Sequence, residues 1–159
     1  LEHDGARVWD TLSIAEYLAE LNPKAGLLPK DRIPRAHCRS VSSEMHSGFY
    51  NLRTGLPMNI KAHYPKFKIW AGAMPEIARV LAIWKDCLST YGGPYLFGEL
   101  SMADAMYAPV CSRFLTYDVQ MDQECAAYCE TIMAWPDVAE WVGAAKDEPD
   151  EPEDVDAEF

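Results

Sequence analysis

The spacing of apolar positions changes once near the start of the chain, and the change marks a boundary. Residues 1–3 and 6–9 read as extended segments on either side of Asp4-Gly5. Asp-Gly favours a tight primed turn, so this stretch predicts a β-hairpin. From residue 11 the repeat lengthens. Leu12, Ala15, Leu18 and Ala19 recur at helical spacing as far as residue 21. Asn22-Pro23-Lys24-Ala25-Gly26 breaks that helix, and the segment through Leu28-Pro29 reads as a connector. Everything after it has a helical pattern. One long helix is predicted over residues 33–56, with Val41, Met45, Phe49 and Leu52 on one stripe. Residues 57–72 are mixed, aromatic and irregular. A second long helix is predicted over 75–91, with Ile77, Val80, Leu81 and Trp84 facing the core and Pro75 in its first turn. Gly92-Gly93-Pro94 ends it, and Tyr95-Leu96-Phe97-Gly98 fills the turn. Ser101-Met102-Ala103-Asp104 has capping-box spacing and opens a helix reaching residue 117. Pro109 inside that helix removes one N–H and is expected to bend it. Shorter helices follow at 123–134 and 136–145. The expected fold class is mainly α: a small β-containing piece, then a helical bundle. There is no internal repeat and no nucleotide-binding glycine motif.

Charge refines this organisation. The chain has 159 residues, 49% of them hydrophobic, and a formal charge of −11. Residues 147–158 carry eight acids and no base, so the remaining 17 acids face 14 bases and the body is close to neutral. The Pro-broken acidic stretch 147–159 reads as a disordered, solubilising tail. No basic stripe suits a nucleic acid. No apolar run is long enough to span a membrane. The start of the chain lacks the basic and apolar regions of a signal peptide. It also lacks Met and opens inside an apparent strand, so further residues are expected upstream.

Candidate chemistry concentrates at Val8-Trp9-Asp10-Thr11-Leu12. A strand hands over there to a helix N-terminus, where free N–H groups and the helix dipole favour an anion. Thr11 offers a hydroxyl to a ligand carboxylate, and Asp10 can accept from an ammonium group. The pair suits an α-amino acid headgroup, while the plain alternative is that Asp10 or Thr11 caps the helix. Five cysteines, Cys38, Cys87, Cys111, Cys125 and Cys129, are odd in number and scattered, which fits buried thiols in a reducing cytoplasm. Cys125 and Cys129 lie one helical turn apart, but no partner pair completes a metal site, so no metal is expected.

Taken in order, these motifs resemble the glutathione transferase (glutathione S-transferase) family. Its members join a thioredoxin-like domain to an all-helical one. Three stretches carry the likeness: Leu1 to Gly5 with Val8 to Leu18; Leu96-Phe97-Gly98-Glu99-Leu100-Ser101-Met102-Ala103-Asp104; and Glu44-Met45-His46-Ser47-Gly48-Phe49. The last is similar to a stretch of the bacterial beta-class enzymes, with Ser47 where those usually have Lys. The resemblance implies that residues 1–22 are the last hairpin and helix of a thioredoxin-like domain, 23–30 a linker, 31–146 the all-α domain and 147–159 the tail. It implies that Asp10, Thr11 and Glu44 hold glutathione. Met45, His46, Phe49, Tyr50 and Arg53 are the candidates for lining the site of a small hydrophobic electrophile. His46 or Arg53 is also a candidate for stabilising charge there. Ser101 and Asp104 are expected to determine the fold. Tyr107, Arg113, Phe114 and Tyr117 are assigned to packing and interdomain contacts. The thiol-activating Tyr, Ser or Cys and a cis-proline are expected upstream of Leu1. The implied activity is conjugation of glutathione to an electrophile by a cytoplasmic homodimer. Alternatives are glutathione-dependent isomerisation or thiol-redox chemistry at the same site, and a non-catalytic binding module.

Overall fold

In the computed structural model, residues 1–149 are described. The chain opens with β1 (Glu2–His3) and β2 (Ala6–Arg7), paired antiparallel with Glu2 opposite Arg7. Asp4 and Gly5 both take positive φ, 46° and 82°, as the primed turn requires. The Val8 amide donates to the Leu1 carbonyl and lengthens the ladder by one rung. α1 (Thr11–Leu21) follows at once and ends at Asn22; a 3₁₀ turn at Pro23–Ala25 closes on left-handed Gly26. His3 reaches the Tyr17 hydroxyl at 3.0 Å, so hairpin and helix hold one another.

Six further helices make the bundle: α2 (Arg32–Ser47), α3 (Tyr50–Gly55), α4 (Met74–Tyr91), α5 (Met102–Thr116), α6 (Gln123–Met133) and α7 (Pro136–Asp147). α5 is the central one, packed against α2 on one side and α6 on the other. It runs on through Pro109. Trp84 of α4 is fully buried, its ring set against Tyr107 and Phe114 of α5 and Tyr128 of α6. The Tyr107 hydroxyl donates to the Val41 carbonyl at 3.3 Å and joins α5 to α2. Aromatic rings of this size bury large apolar areas and prefer such edge-on or offset contacts. Among the described residues, no helix is long and apolar enough to cross a membrane.

One predicted element is corrected. The helix expected over 33–56 is two helices, broken at Gly48-Phe49. Gly48 is extended (φ −105°, ψ −167°), and a Cβ there would lie 2.7 Å from the Glu44 carbonyl oxygen. Phe49 takes φ 60°, a costly conformation for a bulky side chain. Its ring is buried, which offsets that cost. The stripe survives the break: Val41, Met45, Phe49 and Leu52 are all buried. Periodicity alone could not show the break, because the same residues face the core on both sides of it. α7 also runs two residues beyond its expected end, to Asp147. Of the expected tail, residues 150–159 lie outside the described residues.

Residues 57–72 are irregular, as the pattern implied, and lie as a strap against the end of α5. The Tyr64 amide donates to the Thr116 carbonyl, and the Thr116 and Tyr117 hydroxyls donate to the Asn59 and Pro57 carbonyls. Tyr64, Phe67 and Tyr117 stack together over this joint.

Candidate functional site

Asp10 sits between β2 and α1 with φ 77° and ψ 133°, a conformation L residues rarely adopt. Its side chain is what holds it there. Oδ1 accepts from the amides of Leu12 (3.0 Å) and Ser13 (3.3 Å), and Oδ2 lies 2.8 Å from Nε2 of His46. The Ser13 amide, then the Leu12 amide and the His46 side chain, keep the carboxyl below its ordinary value, against an opposing effect of desolvation. Asp10 is therefore a cap and a charged surface group together. The helix start is less open to an anion than the sequence implied. Asp10 itself takes three of the first amides, those of Leu12 and Ser13 through its side chain and that of Ile14 through its carbonyl. The Thr11 amide and hydroxyl remain, exposed and without a partner among the described residues.

The remaining candidates divide between the edge of this site and the core. His46, on the last turn of α2, is brought to Asp10 across the joint between α1 and α2. The same joint holds a second pair that the sequence did not reveal. Arg39 grips Glu16 with two bonds of 2.7 and 2.8 Å, which keeps the Glu16 carboxyl low. Glu44 is bound in the same two-pronged way by Arg79 of α4, at 2.7 and 2.8 Å. Met45 and Phe49 are buried in the core, whereas Tyr50 is 76% exposed. Arg53 turns back to donate to the Met45 and His46 carbonyls, capping the end of α2. Arg113 does the same for α3 through the Arg53 and Leu56 carbonyls. Its guanidinium is held below its ordinary value by burial and by the nearby Arg53 charge. Phe114 and Tyr117 are buried packing residues.

None of the described thiols is poised as a nucleophile. All five cysteines are free and buried, and burial pushes Cys87 and Cys125 up to about 12. No group of three or more metal-ligating side chains occurs among the described residues. A hollow of 690 Å³ lies at the far end of α1, lined by Leu18, Leu21 and Leu27 among others. Another, of 420 Å³, lies under the strap beside Phe67, Ile77 and Leu81. Neither touches Asp10, Thr11 or His46, so these three form an open edge.

Comparison with known proteins places this geometry. Residues 59–144 match the model of the glutathione S-transferase C-terminal domain. A probable maleylacetoacetate isomerase of Caenorhabditis elegans is 32% identical over 113 residues, which is 67% of this chain and 50% of that protein. Maleylacetoacetate isomerase of Rattus norvegicus is 31% identical over 122 residues, 76% of this chain and 55% of that one. The chain thus spans about half the length of the curated relatives it matches. A crystal structure of a glutathione transferase homolog from Burkholderia, with bound glutathione, superposes with a TM-score of 0.66 at 26% identity, covering 92% of this chain and 71% of that one. Glutathione transferase Omega 3C from Trametes versicolor shares the fold, with a TM-score of 0.62 at 17% identity, over 95% of this chain and 66% of that one. A hairpin and helix leading into an all-α bundle with a buried capping box, together with the match over most of that bundle, show that this chain belongs to the glutathione S-transferase family.

Proposed function

We propose that this chain supplies one wall of the glutathione site in a glutathione-dependent enzyme. The observation that carries the reading is the divided Asp10 carboxylate. One oxygen is used up by the helix start, while the other stays at the surface beside an unpartnered Thr11 amide and hydroxyl. An α-amino acid end needs that set: an acceptor for its ammonium and donors for its carboxylate. The bound glutathione of the Burkholderia homolog supports the choice of ligand. Within this reading, the group that activates the thiol is none of the buried cysteines and neither the Tyr107 nor the Tyr128 hydroxyl, which burial raises. The thiolate then attacks a small hydrophobic electrophile. A cytoplasmic homodimer belongs to the same proposal. Residues 1–22 act as the end of the glutathione-binding domain and 31–146 as the helical domain.

A second reading keeps the site and changes the outcome. The names of the curated relatives favour glutathione-dependent isomerisation, in which the thiolate adds to a cis double bond and leaves after rotation. Two assays of the full-length protein decide between them: conjugation of a general aryl electrophile, and cis–trans conversion of maleylacetoacetate. The glutathione site itself is tested by Asp10→Ala with Thr11→Val. Retention on immobilised glutathione should fall at least about tenfold. Unchanged retention with an intact fold overturns the site.

A further inference from the structure

The contact between His46 and Asp10 does more than join two helices. The α1–α2 joint also has the two-pronged Glu16–Arg39 pair, so the His46 contact is not its sole polar tie. What the His46 contact adds falls on the carboxylate. An ionised carboxylate offers about four acceptor positions. On Oδ1, two are taken by the Leu12 and Ser13 amides, while Oδ2 lies 2.8 Å from Nε2 of His46 in an ion pair. The acceptor positions left over lie on Oδ2, and the side from which a ligand can approach them depends on where His46 stands. His46 is in turn held by the capping of its own helix end, since Arg53 donates to its carbonyl at 3.2 Å.

We infer that His46 is a positioning residue for glutathione: from the helical bundle it pairs with the Asp10 carboxylate so that the open side of Oδ2 faces the ammonium group of the tripeptide. The inference rests on the glutathione reading above. It gives the bundle a part in binding glutathione as well as in accepting the electrophile. The two amides anchor Oδ1, and the His46 contact adds a restraint at Oδ2; an acceptor fixed at both oxygens is better pre-organised for a ligand than one fixed at Oδ1 alone.

The test uses the full-length protein with His46→Leu, His46→Gln, Arg39→Leu and Asp10→Ala. Glutathione affinity is measured by titration calorimetry, and kcat and KM with whichever substrate the enzyme turns over. His46→Leu is expected to weaken glutathione binding about tenfold, with a rise in KM for glutathione that exceeds any fall in kcat. His46→Gln, whose amide N–H can reach Oδ2, is expected to recover most of that loss. Arg39→Leu loosens the joint, and it is expected to lower Tm without reproducing the binding defect. Three results overturn the inference while leaving the glutathione site standing: wild-type affinity in His46→Leu, an equal defect in the Gln and Leu variants, or the same defect in Arg39→Leu. Wild-type affinity in Asp10→Ala overturns both.

Discussion

Of the aspartates that stand at helix N-termini in this chain, Asp104 and Asp10 come to opposite ends. Asp104, three residues after the Ser101 cap of α5, is fully buried. Its Oδ1 accepts from the Leu96 amide and the Tyr128 hydroxyl, and its Oδ2 from the amide and hydroxyl of Ser101. Four donors saturate it. Asp10 at α1 has the same dipole in front of it, yet it lies at the surface with Oδ1 on two amides and Oδ2 exposed beside His46. Burial raises the Asp104 carboxyl, whereas hydrogen bonds lower that of Asp10. A carboxylate at a helix start is thus structural or available to a ligand according to how many donors its surroundings already supply.

The strongest way to break this contrast is to truncate each residue in turn. Asp104→Ala strands two buried amides and two buried hydroxyls, and should cost about 3–5 kcal/mol, read as a lowered midpoint in denaturant. Asp10→Ala should lower stability far less and glutathione retention far more; equal stability losses would erase the distinction. A subtler separation comes from pH. The Asp10 pKa is lower in the folded state, so its contribution is present above its ordinary 3.8 and fades as pH falls through the folded value. The Asp104 pKa is higher in the folded state, so its contribution is full below 3.8 and is lost as pH rises through the folded value. The stability difference between wild type and Asp10→Asn should therefore shrink toward low pH, while that for Asp104→Asn should grow. Parallel trends in chemical denaturation between pH 3 and 7 would contradict the assignment. The smallest effect expected is that of Glu16→Gln at the half-exposed Arg39 pair: under about 1 kcal/mol, and less in high salt. Its signature is faster amide exchange in α1 with no change in the α5 core.

Much of the fold was legible because its signals are local. Asp4-Gly5 specifies its own turn, Asp10 its own cap, and Gly92 the left-handed end of α4 at φ 81°. Ser101 and Asp104 find one another three residues apart. The site was legible only in part. Asp10 and Thr11 stood out as candidates by type and place, and His46 only through the resemblance of residues 44–49 to a stretch of the beta-class enzymes. That Arg53 would fold back on carbonyls, or Arg79 reach Glu44 from another helix, has no counterpart in any short window of sequence.

By itself, the sequence determined the order of elements, their caps and the stripes that make the core, since each depends on residues within a turn or two of one another. The tertiary structure alone decided which charged groups meet. The break at Gly48-Phe49 ends α2 just past His46, and the packing of α1 on α2 then puts Asp10 and His46 in contact across 36 positions of chain. Pairings of that range depend on how helices cross and where they stop. Those are set by the whole of the buried surface.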